Sequence, residues 1–80
     1  MNNQNALRFL EEMLDLPSAS LTGAERLSDV EAWDSLSTIA FIAQVDKQFG
    51  VPLPGNRVAA CRTVADLCEL IEEASARRAA

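Results

Sequence analysis

Several residue types on which enzymes depend are missing or scarce in this sequence. It contains no histidine, so it lacks the commonest general base and the usual partner of a serine nucleophile. The two cysteines, Cys61 and Cys68, do not form a Cys-x-x-Cys pair, and no glycine-rich phosphate loop is present. The adjacent carboxylates Glu11-Glu12 and Glu72-Glu73 are interpreted as solvated helix faces. The chain is therefore predicted to be neither an enzyme by itself nor a metal-binding protein.

Basic charge and long apolar runs are also lacking. Seven basic residues stand against twelve acidic ones, and no Lys/Arg cluster precedes Arg77-Arg78, so nucleic acid is not an expected partner. No apolar run approaches the roughly 20 residues that a membrane span needs. The N-terminus also lacks the basic and apolar regions of a signal peptide, which predicts a cytoplasmic location.

What is present is a composition typical of a small folded domain. Apolar residues make up 49% of the 80 residues and charged residues 24%, which does not resemble a disordered chain. A chain of this length has room for one hydrophobic core. We therefore predict a single domain over residues 1–80.

The first half of the chain predicts one helix and a long connection. Apolar residues at helical spacing predict a first helix from Gln4 to Leu16, which Pro17 ends. The connection from Pro17 to Trp33 carries four apolar residues that are predicted to hold it against the core: Leu21, Leu27, Val30 and Trp33. Within it, Thr22-Gly23-Ala24-Glu25 fits a capping pattern and predicts a short helical turn.

The second half predicts a broad apolar helix and two further helical segments. Asp34 is a good N-cap, and the helix that follows it ends at Gly50. Its apolar residues cover more than one stripe, which predicts a central helix packed on more than one side. They are Leu36, Ile39, Ala40, Ile42, Ala43, Val45 and Phe49. Asn56 to Cys61 predicts a short turn with Val58 buried, and Thr63-Val64-Ala65-Asp66 resembles a capping box opening the last helix.

These segments together predict an all-α fold. The expected architecture is a small four-helix bundle, with three main helices, one short helix and a long loop between helices one and two.

Ser35 has two possible roles at the start of helix two. If Asp34 caps the helix, Ser35 is a neutral residue of its first turn. Alternatively, the unpaired N–H groups and the positive dipole end of the helix favour a phosphate attached to the Ser35 hydroxyl. Another enzyme would have to attach that phosphate, since nothing in this chain can activate the hydroxyl.

The chain resembles the acyl carrier protein family, whose members carry a 4′-phosphopantetheine arm on the serine of an Asp-Ser-Leu motif. The motif Asp34-Ser35-Leu36 opens helix two, Phe49-Gly50-Val51-Pro52-Leu53 follows that helix, and Thr63-Val64-Ala65-Asp66-Leu67 starts the last one. Their order and spacing follow the family over essentially the whole chain. The resemblance implies a stand-alone carrier in which Ser35 bears the arm, derived from coenzyme A, and the arm's thiol holds acyl groups as thioesters.

The resemblance also implies partners and a surface that meets them. The expected partners are a phosphopantetheinyl transferase and the acyl-loading, condensing or acyl-transferring enzymes of fatty-acid, polyketide or related specialised biosynthesis, and the carrier is expected to be a monomer. Leu36 and the flank of helix two, including Thr38, Phe41 and Val45, would form the partner surface. The bundle could also shelter an acyl chain, although the candidate residues are interpreted first as core: Ile42, Phe49, Val58, Leu67 and Ile71.

Helix two departs from the carriers of fatty-acid synthesis, in which it is strongly acidic. Here Asp46 is the only acid between Ser35 and Gly50, and Lys47 follows it. We therefore expect a specialised pathway, such as polyketide, nonribosomal peptide or modified-lipid synthesis. Trp33 either contacts partners or anchors the loop.

Two alternatives stay open at this stage. One is a carrier of aminoacyl or peptidyl groups, as in nonribosomal peptide synthesis. The other is an unmodified helical interaction domain, and modification of Ser35 distinguishes it from a carrier.

Overall fold

The computed structural model describes residues 4–79, except for the side chains of Gln4 and residues 77–79, and it shows an all-α fold. Arg77-Arg78 is thus described in its backbone alone. The α-helices are α1 (Gln4–Met13), α2 (Ser35–Phe49), α3 (Gly55–Ala59) and α4 (Val64–Ala79), with a 3-10 turn at Leu27–Asp29. Three main helices, one short helix and a long connection between α1 and α2 confirm the predicted architecture.

All four helices and the connections between them contribute to one hydrophobic core. Its buried apolar residues are Ala6, Phe9, Leu10, Leu21, Leu27, Phe41, Val45, Val51, Leu53, Val58, Val64, Leu67, Cys68, Leu70 and Ile71. Burial of Val58 in α3 is as predicted. An open cavity of about 310 Å³ joins Asn5 at the start of α1, Phe49 at the end of α2, and Ile71 and Ser75 in α4. Helices α2 and α4 therefore run in the same direction, and both begin at the opposite end of the bundle.

The four aromatic side chains of the sequence form a continuous row through this core. The ring centroids of Phe49 and Phe9 are 5.4 Å apart, those of Phe9 and Phe41 6.2 Å, and those of Phe41 and Trp33 5.5 Å. Tilted and edge-to-face pairs of this kind add about 0.5–1.5 kcal/mol each to the burial of the rings. Trp33 thus packs on the core and anchors the end of the long connection.

Helix α1 ends at Met13, three residues before the predicted end at Leu16. Asp15 adopts a left-handed conformation with φ 58°, which a short polar side chain tolerates better than most others. The Leu16 amide donates to the Glu11 carbonyl at 2.7 Å, and the Asp15 amide donates to the Glu12 carbonyl at 3.2 Å. This pair of bonds forms a Schellman ending, which satisfies two carbonyl groups of the last turn and redirects the chain before Pro17.

Glu11 is buried, and its interpretation as part of a solvated helix face is wrong. Its side chain is 4% exposed. Its two carboxylate oxygens accept hydrogen bonds from the backbone amides of Ala19, at 3.1 Å, and Leu21, at 2.9 Å. Because Glu11 lies four residues after Leu7, it falls on the apolar side of α1, where a charge is tolerated only if it is paired. The carboxylate therefore holds the first half of the long connection against α1.

The second half of the connection is tied to the segment before α4. The amide of Ala65 donates to the Gly23 carbonyl at 2.8 Å and the amide of Val64 to the Glu25 carbonyl at 2.9 Å. The amide of Leu27 donates to the Arg62 carbonyl at 2.8 Å. Gly23, with φ 104°, supplies a backbone conformation that residues with a side chain rarely adopt. The long connection is therefore fixed to both α1 and α4.

The predicted helical turn at Thr22–Glu25 is absent, and the 3-10 turn lies further along the chain at Leu27–Asp29. The Glu25 carboxylate does reach back to the Thr22 amide, at 2.8 Å, and the Gly23 amide, at 2.9 Å. Since the carbonyls of Gly23 and Glu25 accept from the start of α4, they are not available to continue a helix.

Candidate functional site

A reciprocal capping box fixes the start of α2. Asp34 is extended, with φ −142° and ψ −168°, and its Oδ1 accepts a hydrogen bond from the Ser37 amide at 2.9 Å. In return, the Ser37 Oγ accepts from the Asp34 amide at 2.6 Å. The predicted capping role of Asp34 is confirmed, whereas the part played by Ser37 was not predicted.

Hydrogen bonds from Ser37 keep Asp34 ionised, since the Ser37 Oγ also lies 3.1 Å from Asp34 Oδ1. The backbone N–H of Ser37, and then its hydroxyl, lower the pKa of the Asp34 carboxyl below its ordinary value. A carboxylate at this position also interacts favourably with the positive end of the helix dipole. Asp34 therefore acts as a fixed negative cap beside Ser35.

Ser35 is the first residue of α2, and its side chain is exposed to solvent. The hydroxyls of Ser37 and Thr38 are both engaged: Thr38 Oγ1 donates to the Asp34 carbonyl at 2.8 Å, and Ser37 Oγ lies in the capping box. Within residues 4–79, no hydrogen bond holds the Ser35 hydroxyl. Of the three hydroxyls in this turn, that of Ser35 is thus the accessible one, and it lies where the helix end favours a phosphate.

Next to Ser35, helix α2 presents an exposed surface that we call the apolar face. Leu36 is 77% exposed and Ile39 is 66% exposed, and Ala40 and Ala43 are exposed as well. Their positions i, i+3, i+4 and i+7 place them on one side of the helix. Helix α2 contacts α1, α3 and α4, as a central helix should, but the expectation that these four residues are packed is wrong, because the apolar face has no partner within the described residues.

Two of the residues predicted for the partner surface lie in the core. Phe41 and Val45 are both 0% exposed, and Phe41 packs between Phe9 and Trp33. Their assignment to a partner surface is wrong, since Val45 lies one helical turn after Phe41 on the buried side of α2. Thr38 is half-buried, with its hydroxyl bonded to the backbone.

Ile39 was not predicted as part of the partner surface, although one signal pointed to it. It lies three residues after Leu36 on the helix, which places it on the same side. Of the residues considered as shelter for a cargo, Val58, Leu67 and Ile71 are buried and Ile42 and Phe49 partly buried, as expected for core residues.

Other kinds of site were also sought in the described part of the chain. Among residues 4–79, no three His, Cys, Asp or Glu side chains are grouped so that they could hold a metal ion. None of the helices described combines the length and the apolar character needed to cross a membrane.

Comparisons with known proteins agree with this geometry. A family described as the phosphopantetheine attachment site matches residues 7–71. The fold is similar to the solution structure of a holo acyl carrier protein from Geobacter metallireducens, with a TM-score of 0.81 and 26% sequence identity. The alignment covers 98% of this chain and 91% of that one. No curated protein matches the chain. The chain therefore belongs to the acyl carrier protein family, whose members are carriers with a covalent 4′-phosphopantetheine group and are not themselves catalysts.

Proposed function

We propose that Ser35 bears the phosphopantetheine group and that the chain carries acyl intermediates between the enzymes of a specialised biosynthetic pathway. The observation that carries this proposal is the contrast among the hydroxyls in the first turn of α2. Those of Ser37 and Thr38 are bonded to the capping residue, whereas that of Ser35 is exposed and unbonded. A transferase can therefore reach Ser35 without disturbing the fold.

The chain contributes position, and its partner contributes the reaction. The carboxylate of Asp34 accepts a hydrogen bond from the Ser37 amide and so caps the helix. We therefore assign removal of the proton from the Ser35 hydroxyl to the transferase. The Ser35 oxygen then forms a bond to phosphorus, and the remaining nucleotide portion of coenzyme A leaves. The first N–H groups of α2 and the helix dipole favour the phosphodiester that results.

Tethering raises the effective concentration of the cargo. The arm supplies a thiol that holds an acyl group as a thioester. The packed bundle supplies a rigid base, so that each partner docked near Ser35 meets the cargo as if in an intramolecular reaction. We propose that the carrier performs this role as a monomer.

The apolar face gives partners a docking surface beside Ser35. Leu36 and Ile39 expose most of their surface within one turn of the attachment site, and exposed apolar residues grouped in this way mark interaction sites. We propose that the transferase and the acyl-loading, condensing or acyl-transferring enzymes cover this face with an apolar cleft. Asp46 is the only acid of α2, so attraction to a basic partner contributes little to their association.

The first test is the intact mass of the chain before and after incubation with coenzyme A, magnesium and a broad-specificity phosphopantetheinyl transferase. We expect the wild type and a Ser28→Ala control, altered at an exposed serine elsewhere, to gain one phosphopantetheine group each. Ser35→Ala should gain none. A wild type that stays unmodified beside an active control carrier would instead support an unmodified interaction domain.

The second test concerns the pathway. The holo protein is offered to fatty-acid elongation enzymes in competition with their own carrier, and we expect much slower processing because Asp46 is the only acidic residue of α2. Equal rates would contradict a specialised pathway. For the apolar face, Leu36→Ala and Ile39→Ala should each lower kcat/KM of the transferase about tenfold, whereas Gln48→Ala, exposed near the other end of α2, should not.

A further inference from the structure

Ser37 makes more polar contacts than its neighbours in the first turn of α2. Its Oγ accepts from the Asp34 amide at 2.6 Å and lies 2.9 Å from the Ala32 carbonyl oxygen and 3.1 Å from both the carbonyl oxygen and Oδ1 of Asp34. Because a hydroxyl has one hydrogen to donate, it serves one of these oxygens at a time. With any of the three acceptors, the side chain joins the first turn of α2 to the residues that lead into it, and its bond from the Asp34 amide does so as well.

The residues before Ser35 are therefore held from two sides. Trp33 packs edge-on against Phe41, with ring centroids 5.5 Å apart, so its side chain is fixed to the core. Asp34 is held by Ser37 through both its amide and its carboxylate. The backbone between these two attachments leads directly to Ser35, so the Ser37 contacts restrain the backbone from which the Ser35 side chain extends.

We propose that Ser37 is a positioning residue for the modification of Ser35, an inference that rests on the proposed function of Ser35. Its hydroxyl keeps the Ala32–Asp34 backbone in one conformation and so presents the Ser35 oxygen to the transferase in a constant geometry. Because its own oxygen is engaged in the capping box, Ser37 is also withdrawn from the reaction. One side chain thus both aligns the reacting serine and excludes the serine two residues away.

The expected loss of modification rate follows from the contribution of a capping box to the stability of the first helical turn. Loss of one side-chain hydrogen bond of a capping box typically lowers the population of the intact first turn about fivefold. Reactions that depend on alignment lose rate when the reacting atom is displaced by a fraction of its working distance. The apolar face does not involve Ser37, so binding of the transferase should be preserved while the rate of the bound complex falls.

The test is steady-state kinetics of a phosphopantetheinyl transferase on the wild type, Ser37→Ala and Ser37→Thr. We expect Ser37→Ala to lower kcat about fivefold with KM changed by less than about twofold. Ser37→Thr, which retains the hydroxyl, should recover kcat to within about twofold of the wild type. Thr63→Ala is the matched control, since it removes a hydroxyl from the capping box of α4 and should leave kcat unchanged.

Each other outcome overturns the inference. An unmodified wild type would remove the proposed function and this inference together. A modified wild type with an unaffected Ser37→Ala would remove this inference alone. Equal losses in Ser37→Ala and Thr63→Ala, beside equal falls in melting temperature, would show an effect of stability. The claim that Ser37 is withdrawn from the reaction is tested separately, by mapping the modified residue in Ser35→Ala after long incubation. A phosphopantetheine group found on Ser37 would contradict that claim, and this test does not depend on whether Ser37→Ala folds.

Discussion

Helices α2 and α4 both begin with a reciprocal capping box, but the two helix starts have different surroundings. At α2, the Asp34 side chain accepts from the Ser37 amide, and the Ser37 hydroxyl accepts from the Asp34 amide. At α4, the Thr63 hydroxyl accepts from the Asp66 amide, and the Asp66 carboxylate accepts from the Thr63 amide. The aspartate is thus the capping residue at α2 and the third helical residue at α4, and the residue with the hydroxyl has the opposite position in each case. The two local hydrogen-bond patterns are otherwise alike, so the difference between the helix ends arises from what surrounds them.

The surroundings differ at the first helical residue. Val64 of α4 is 2% exposed, and its amide donates to the Glu25 carbonyl, so this helix end fastens the long connection. Ser35 of α2 is exposed, and Leu36 after it is exposed as well. One capping box therefore anchors the chain while the other presents a side chain. Within the described residues, the proposed attachment site differs from the start of α4 in that its first helical residues are exposed.

The largest expected effect concerns the contrast within α2 between its buried and exposed sides. Phe41→Ala removes a fully buried ring that contacts Phe9 and Trp33, and it should lower the free energy of unfolding by about 3–5 kcal/mol. Leu36→Ala on the apolar face should change it by less than about 0.5 kcal/mol. Urea denaturation of both variants measures these values. Similar costs would mean that Leu36 is also part of the core.

The next effect compares the two first helical residues directly. Val64→Ala should destabilise the fold by about 2 kcal/mol because it leaves a space in the core. Ser35→Ala should stay within about 0.5 kcal/mol of the wild type, since its side chain is exposed. Thermal melts followed by circular dichroism provide the measurement. A large loss in Ser35→Ala would indicate that the hydroxyl has a structural role.

A smaller effect is expected in amide hydrogen exchange. The amides of Val64 and Ala65 donate to the carbonyls of Glu25 and Gly23, whereas those of Ser35 and Leu36 belong to the open start of α2. We expect the first pair to exchange at least about tenfold more slowly, measured by NMR after transfer to heavy water. Equal rates would contradict the anchoring role of the α4 start.

The smallest effect is the dependence of stability on pH, which both capping boxes should share. The amide of Ser37 lowers the pKa of Asp34, and the amides of Arg62 and Thr63 lower the pKa of Asp66. A carboxylate whose pKa is lowered by folding contributes stability above its unfolded pKa of about 3.9 and loses it as the pH falls through the folded value. The free energy of unfolding should thus decline below about pH 4.

Two asparagine variants check this assignment. Asp34→Asn and Asp66→Asn should each make the acid part of the stability curve less steep, as measured by urea denaturation between about pH 2 and 7. Asp66→Asn should have the greater effect, because the backbone amides of Arg62 and Thr63 both donate to the Asp66 carboxylate. Unchanged curves in both variants would assign the acid sensitivity to other carboxylates.

The sequence was sufficient to predict features that depend on local chemistry. Asp34 as a cap, the Gly50 ending of α2, with φ 69°, and the Thr63–Asp66 box all require only neighbouring residues. The end of α1 was misplaced because the Schellman ending depends on Asp15 adopting a left-handed conformation, which apolar spacing does not reveal. The turn predicted at Thr22 does not form, because the carbonyls of Gly23 and Glu25 accept hydrogen bonds from the start of α4, about 40 residues further along the chain.

The orientation of α2 was the part of the site that local patterns left undetermined. Apolar residues occur around much of this helix, so spacing alone did not distinguish the side that meets the core from the side that meets solvent. The aromatic row decides the matter, since Phe41 packs against Phe9 of α1 and Trp33 of the connection. Because apolar spacing does not reveal these ring contacts, Phe41 was assigned to the surface from the sequence and Ile39 was overlooked.

Buried Cys68 and partly buried Cys61 bear on where an acyl cargo can be attached. Burial, and then the charge of Glu72, raise the pKa of the Cys68 thiol to about 11, and burial also raises the pKa of Cys61, whose sulfur contacts the Arg57 carbonyl at 3.4 Å. Since the thiolate is the form that attacks a thioester, both thiols are poor acceptors at neutral pH. A thioester attached through Ser35, as proposed, is therefore not expected to transfer its acyl group to either thiol at neutral pH.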